Sequence, residues 1–392
     1  SKGHEKLPKA ISDLFRMIAS GVNWCKVGLG LPVPKLFRRQ ISRGHTPYMA
    51  IRILGIETSC DETAVGVVED GRTLLANVIS SQVALHAPYG GVVPEVASRQ
   101  HVRDLVPVLE QAVADSGLGL EDMDAIAVTY GPGLAGSLIT GVNAAKAIAY
   151  SLGIPLIGVN HLEGHIYASW LAKTDLENDP GFPLACLVAS GGHTDLISME
   201  GHGRYKLVGR PRDDAAGEAF DKAARILGLG FPGGPEIQRV SEGATGEETL
   251  PRAWMKDTLD FSFSGLKTAL LHTAQDRGIY PDPEEGVDQV RLVRELAAAF
   301  QESVVDVISA KLMEMAAKYK VKGLVLGGGV TANSRLREEI IKRSPLPVII
   351  PPPVLCTDNG AMIAFAGWCR REQALSVPTI IARPRWSLNE LT

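Results

Sequence analysis

Twice along this chain an apolar run breaks into a short polar turn and resumes as a second apolar run. IRILGIE (51–57), TSCDE (58–62) and TAVGVVED (63–70) form the first copy. PLACLVA (183–189), SGGH (190–193) and TDLISME (194–200) form the second. Short β-branched runs bounded by Gly/Ser/Asp turns read as strands, and the same plan met twice reads as a duplicated fold with one copy per domain. The length of 392 residues agrees, because a single hydrophobic core stops growing well below that size.

Helical periodicity fills the gaps between these units. Amphipathic stretches are expected at 97–116 and 136–152, followed by a strand IPLIGV (154–159), and one long helix over 291–320. KGLVLGGGVTANSRLREEI (322–340) reads as strand, triple glycine, then helix, while 228–267, rich in Gly, Pro and Ser, reads as irregular and site-forming. Strands alternating with helices argue for an α/β protein with mixed or parallel sheets. Residues 1–48 differ: they hold nine Lys/Arg against two acids, with a possible short helix at 8–19. They read as a transit-like segment, a natural extension, or an added or upstream-read sequence. The domains expected are therefore this basic extension (1–48), a first lobe of 49–168 plus 358–392, and a second lobe of 169–357.

The whole chain carries 40 basic and 44 acidic residues, which leaves the part beyond residue 48 with 31 basic and 42 acidic side chains, a net of −11. Such a body does not bind nucleic acid by bulk charge, so any RNA contact needs a local basic face or a partner. Five cysteines (25, 60, 186, 356, 369) without a C-x-x-C pair argue against a disulfide framework or zinc finger and for a reducing compartment. The apolar stretch 134–159 contains Asn143, Lys146 and several glycines, so no membrane span is expected.

The sharpest local signal is NHLEGH (160–165). Asn160 is a good N-cap after the strand, with Glu163 in the capping-box position. His161 and His165 then lie one turn apart on one helix face, where both imidazoles can reach one metal, or where each can bond backbone or solvent. A zincin protease places its general base directly after the first His; Glu163 comes one residue later, so capping suits it better. Asp358, in CTDNG (356–360), reads either as an N-cap or as a hard oxygen ligand completing a two-His-one-carboxylate site. The turns TSCDE, GPGLAGS (131–137), SGGHT (190–194) and GGGVTAN (327–333) offer hydroxyls and closely spaced N–H groups of the kind that cradle anions. Gly328 and Gly329 stand where an adenine could slide over backbone, with Asn333 at a helix start. GEAFDKAARILGL (217–229) opens a helix whose carboxylates either face solvent or accept hydrogen bonds from a ribose.

Together with HAPYGGVVPEVASRQHV, DFSFSGLKTAL, CTDNGAMIA and RPRW (383–386), these motifs in this order resemble the TsaD family, the tRNA threonylcarbamoyladenosine transferases once described as O-sialoglycoprotein endopeptidases. The resemblance covers 51–386. It implies an actin-like/Hsp70-like (ASKHA) two-lobed fold with duplicated RNase H-like cores and an interlobe active site. It also implies an acyl-type transferase (EC 2.3.1 class) moving threonylcarbamoyl from threonylcarbamoyl-AMP to N6 of adenosine 37, beside the anticodon of tRNAs reading codons that begin with A. By matching motif, His161, His165 and Asp358 are the implied ligands of one Fe2+ or Zn2+. Val188, Ala189, Ser190, Gly191, Gly192, His193, Thr194, Asp221, Gly234, Gly328, Gly329, Asn333 and Ser59 are the implied nucleotide-binding set, a site that ATP or AMP would share. Glu62, with Asp61, is the implied acidic pair near the reacting centre. Archaeal and eukaryotic relatives place a Tyr ligand two residues before the SGG serine; Val188 stands there, which points to the bacterial or organellar branch. The implied partners are tRNA with a TsaB-like paralogue and a TsaE-like small ATPase if bacterial, or a homodimer if mitochondrial. The location implied is cytoplasmic, or mitochondrial or plastid if 1–48 is a transit segment. The competing readings are an ATPase or sugar kinase of the same fold, a metalloprotease, and a non-catalytic scaffold.

Overall fold

The computed structural model describes residues 50–171, 180–374 and 380–391. The basic extension, its expected helix at 8–19 and Cys25 lie outside them. The chain divides into two compact units: one of residues up to Gln82, Val93–Tyr167 and Asp358–Ser387, the other of Val83–Val92, Ala168–Thr357 and Leu388–Thr392.

In the first unit the two apolar runs around TSCDE become β1 (Arg52–Glu57) and β2 (Glu62–Glu69), paired antiparallel, with β3 (Thr73–Ser81) antiparallel to β2. β4 (Ala125–Gly131) then lies parallel to β1, and β5 (Leu156–Asn160) parallel to β4, giving the order β3-β2-β1-β4-β5. The parallel steps need crossovers, which α1 (Pro94–Ser116) and α2 (Ala135–Leu152) supply; α3 (His161–Leu171) follows β5 without an intervening loop. Every residue of β4 is buried, as expected of a strand covered on both faces.

The helix Gly360–Cys369 lies directly on this sheet, and the reason is glycine on both sides of the contact. A Cβ on Gly55 would sit 2.3 Å from the Ala364 nitrogen, and one on Gly66 2.3 Å from the Ala361 nitrogen. A Cβ on Gly360 would come within 2.1 Å of the Gly66 nitrogen. Backbone meets backbone here, which no other residue type permits. That approach seats the start of the helix, two residues after Asp358, on the sheet.

The second unit repeats the plan. β6 (Leu184–Ala189), β7 (Thr194–Gly201) and β8 (Arg204–Gly209) form an antiparallel meander; β9 (Gly323–Gly327) adds parallel to β6 and β10 (Val348–Ile349) parallel to β9. The order β10-β9-β6-β7-β8 matches that of the first sheet strand for strand, so the duplication expected from the sequence is present. Its core, with Leu187, Leu196, Phe220, Phe261, Phe263, Phe300 and Leu312, lies under the helices α4 (Ala216–Ile226), α5 (Gly233–Ser241), α6 (Ser264–Asp276) and the 31-residue α7 (Gln289–Tyr319). α8 (Ser334–Arg343) follows the triple glycine. The expectation of an irregular 228–267 is corrected in part, since α5 lies inside it and α6 begins at Ser264. Pro235 falls in the first turn of α5, where a missing N–H costs nothing, and Ile237 is buried, so helix survives the Gly/Pro-rich composition. Among the described residues no helix is long and apolar enough to cross a membrane.

Candidate metal centre

β1 and β5 end on the same side of the first sheet, the side on which open α/β sheets place ligands. β5 delivers Asn160, whose Oδ1 accepts from the Leu162 nitrogen (3.0 Å) and starts α3. The i,i+4 spacing then points both imidazoles the same way, with ring centroids 4.6 Å apart and planes at 78°. Asp358 meets them: its Oδ1 lies 3.6 Å from His161 Nε2 and 3.1 Å from His165 Nε2. Donors held about 2.0–2.2 Å from one ion in a near-tetrahedral arrangement stand roughly 3.3–3.5 Å apart, so these separations fit a single divalent ion. The three ligand atoms all fall within 4.8 Å of one another.

Asp358 is not the helix cap. Asn359 caps the Gly360–Cys369 helix, accepting from the Met362 nitrogen at 2.9 Å. The cap reading of CTDNG therefore belongs to Asn359, while the Asp358 carboxylate lies beside the two histidines.

His165 is fully buried, and neither of its ring nitrogens makes a well-aligned hydrogen bond, although Nε2 is close to Asp358. A buried imidazole so placed is costly unless something else takes its lone pair, which is the condition a metal meets. Burial holds the His165 pKa down against the pull of Asp358, and the neighbouring His161 lowers it further. Burial acts the same way on His161, but Asp358 and Glu57 together outweigh it and raise its pKa to about 9.

Glu57 is the functional residue that sequence reasoning missed. It ends β1, is wholly buried, and its Oε2 lies 3.0 Å from His161 Nδ1. The Ser59 nitrogen donates to its Oε1 (2.5 Å) and the Thr129 hydroxyl to its Oε2 (2.6 Å). A carboxylate fixed this way favours a proton on His161 Nδ1, so that when the ring is neutral its Nε2 lone pair is on the side of Asp358. The signal was a single acid inside an otherwise apolar run. His101 was missed for a different reason, being one polar residue of a helix; its Nε2 lies 3.0 Å from the Cys60 carbonyl and its Nδ1 2.8 Å from the Thr63 hydroxyl, which pins the 58–62 turn from below.

The other expected site residues fall into two groups, one in each unit. Beside the triad, Ser59 is 1% exposed with its hydroxyl 3.1 Å from His161 Nδ1, so it orients the histidine and not a nucleotide. Glu62 opens β2 and accepts from the Ser81 hydroxyl at 3.2 Å; burial, with Asp61 and Asp358 close by, lifts its carboxyl well above the usual range. In GPGLAGS the Leu134 nitrogen donates to the Ser59 carbonyl (2.8 Å) and the Gly133 nitrogen to Pro384 (3.2 Å), so these two N–H groups close a packing junction. Glu163 does not answer to the capping-box reading either. It is fully buried and paired with Arg370.

In the second unit the SGG turn rests on the start of α4, where the Gly217 nitrogen donates to the Ser190 carbonyl (3.2 Å) and Glu218 to Gly191 (3.1 Å). Asp221 accepts from the Gly233 nitrogen at 2.7 Å, bringing Gly234 into the same neighbourhood. A Cβ at Gly191, Gly192 or Gly234 would meet nothing within 4 Å, so backbone is open there. Val188 and Ala189 are fully buried in β6 and offer no side-chain surface. Thr194 is spent structurally, donating to the His193 carbonyl and accepting from the Ala216 nitrogen, both at 2.8 Å. Asn333 caps α8 through Leu336 (3.0 Å) and donates to Gln301 (2.8 Å). Gly328, at φ +89°, is required by packing, since a Cβ would strike the Ala189 carbonyl at 2.3 Å; Gly329 faces open space apart from Thr357. Cys60, Cys186, Cys356 and Cys369 are all free thiols, as the spacing implied.

Comparison with known proteins identifies the family. The family profile TsaD, described as tRNA N6-adenosine threonylcarbamoyltransferase, matches residues 73–365. Proteins named tRNA N6-adenosine threonylcarbamoyltransferase from Dehalococcoides mccartyi (56% identical over 320 residues; 82% of this chain, 94% of that one), Thermomicrobium roseum (55% over 333; 81% and 91%) and Bacillus cereus (52% over 329; 82% and 92%) are similar along nearly their whole length. Among solved structures, full-length HypF aligns at TM-score 0.54 with 12% identity over 82% of this chain and 46% of that one, a likeness of fold alone. The chain belongs to the TsaD family of tRNA N6-adenosine threonylcarbamoyltransferases.

Proposed function

We propose that this chain transfers the threonylcarbamoyl group from threonylcarbamoyl-AMP to N6 of adenosine 37 in tRNAs reading codons that begin with A, at a site built on His161, His165 and Asp358. The observation carrying this reading is the triad of two buried histidines and a half-buried Asp358, with Glu57 bound behind His161, in a chain more than half identical to transferases of that name. The donor is a mixed anhydride, already activated, so the protein's task is positioning and charge stabilisation. Fe2+ or Zn2+ held by the triad would polarise the carbamoyl carbonyl as a Lewis acid. His165 and His161 contribute Nε2, Asp358 a hard oxygen, and Glu57 the orientation of His161. N6 attacks the carbamoyl carbon, the bond to the phosphate oxygen breaks, and AMP leaves. Glu62, its carboxyl held above the usual range by burial first and by Asp61 beside it second, is suited to take the N6 proton. In the second unit the open backbone at Gly191, Gly192, Gly234 and Gly329 supports an adenylate site with Asp221 and Asn333 as its framework.

The acidic body supports a partner-supplied surface for tRNA, a TsaB-like paralogue with a TsaE-like small ATPase, and the bacterial relatives support a cytoplasmic setting. The test is mass spectrometry of nucleosides from unmodified tRNA incubated with the protein, those partners and threonylcarbamoyl-AMP. Threonylcarbamoyladenosine at position 37 is expected. Its absence, with ATP hydrolysis or peptide cleavage in its place, would overturn the proposal in favour of a kinase-like or protease activity.

A further inference from the structure

Glu163 sits between the two histidines of α3 but on the other side of it. Two residues from each histidine is a rotation of about 200°, so its carboxylate leaves the helix on the face opposite the imidazoles. There it meets Arg370, itself only 8% exposed, which ends the Gly360–Cys369 helix; Arg370 Nε donates to Glu163 Oε2 and Nη1 to Gln373 (2.9 Å). The partner helix is therefore held at both ends by α3: Asp358 just before its start approaches His165, and Arg370 at its end binds Glu163. Between the two pairs the helices cross at Gly164, where a Cβ would meet Ile363 Cδ1 at 2.8 Å and Met362 Cγ at 3.3 Å. Tyr167 packs on Phe365 at 5.5 Å further along.

The glycine contacts seat this helix on the sheet, but at the Gly164 crossing only the side-chain ends of Ile363 and Met362 are met, which leaves its pivot against α3 to the contacts at its two ends. We propose that the Glu163–Arg370 ion pair is a positioning strut for the metal site: it fixes the pivot, and thereby the distance from Asp358 to the two histidines. This rests on the reading of His161, His165 and Asp358 as metal ligands. Removing one partner leaves a buried charge and destabilises the fold whatever the pair's purpose, whereas replacing both with apolar residues of similar size is close to neutral for stability. The double variant Glu163→Leu/Arg370→Met thus separates positioning from stability.

Zn2+ affinity is measured by competition with a chromogenic chelator, alongside thermal unfolding, for wild type, His165→Ala, Arg370→Lys and the double variant. The strut predicts that the double variant binds Zn2+ tenfold or more weaker than wild type, and that Arg370→Lys, which keeps charge but loses the planar fork, is weakened less. Zn2+ affinity of the double variant within twofold of wild type overturns the strut while leaving the metal site standing. Should the double variant fail to fold, Arg370→Lys decides: unchanged affinity overturns the proposal. Equal Zn2+ binding by wild type and His165→Ala would instead overturn the ligand assignment itself.

Discussion

Substituting Glu57 by Gln changes one buried oxygen to an NH2 and should cost metal affinity without touching a ligand. In the native site Glu57 accepts three hydrogen bonds: from the Ser59 nitrogen, the Thr129 hydroxyl and His161 Nδ1. Glutamine can keep Oε1 on the Ser59 nitrogen, but its NH2 then faces Thr129 and His161 as a donor. His161 must become the acceptor at Nδ1, which moves its proton to Nε2, the atom facing Asp358 at 3.6 Å. Binding a metal then requires reversing that tautomer against the amide. Loss of such outer partners typically weakens metal binding 10–100-fold, or about 1.4–2.7 kcal/mol at 1.36 kcal/mol per decade. The assay is a Zn2+ or Fe2+ titration against a competing chelator at neutral pH, with unfolding followed in parallel so that a general loss of stability is recognised. Affinity within twofold of wild type, in a variant of wild-type stability, would refute the claim that Glu57 sets the His161 tautomer.

Four further outcomes follow from the same geometry. Because the metal-free His161 pKa is raised to about 9, metal binding at pH 7–8 should release a proton, and affinity should climb as pH rises toward 9; calorimetry in buffers of different ionisation heat checks this. By the same sign, the stability that protonated His161 gives the metal-free protein is complete below about pH 6.5 and is lost as pH rises through about 9, so its melting temperature should fall across that window. Gly55→Ala and Gly360→Ala force a methyl against backbone and should destabilise the protein by about 1–3 kcal/mol or more, read as a lower denaturant midpoint; an unchanged midpoint would mean that the helix–sheet contact is looser than the geometry shows. Gly234→Ala should leave stability within about 0.5 kcal/mol, because nothing stands in the way of its Cβ, yet weaken AMP binding if the backbone there receives the adenylate; equal AMP affinity would remove Gly234 from that site.

The fold was legible where local pattern and tertiary demand agree. The strand–turn–strand copies, the long helix near 291–320 and the helix after NHLEGH all lie within a few residues of their expected bounds, since apolar periodicity and caps specify them directly. The site was legible to the extent that its groups share one short motif: His161 and His165 announce each other. Glu57, Glu163 and Arg370 were not readable, because each acts through a partner 100 or more residues away that only the packed first unit supplies. The same holds for glycines. Several that read as phosphate-cradling, Gly133 and Gly328 among them, are there so that backbone can pass backbone, and sequence alone does not distinguish close approach to a ligand from close approach to the chain itself. CTDNG shows the opposite: both readings of Asp358 were reasonable, and the structure gives the cap to Asn359.

The central claim is that the triad serves the transfer to tRNA. Metal content and threonylcarbamoyladenosine formation, measured side by side on wild type, His161→Ala and Asp358→Ala with threonylcarbamoyl-AMP and unmodified tRNA, test it most directly. Wild type should retain about one Fe2+ or Zn2+ per chain, as a three-ligand site of this kind holds a single ion. Both variants should lose metal and modification together. Modification at the wild-type level in either folded variant would contradict the account.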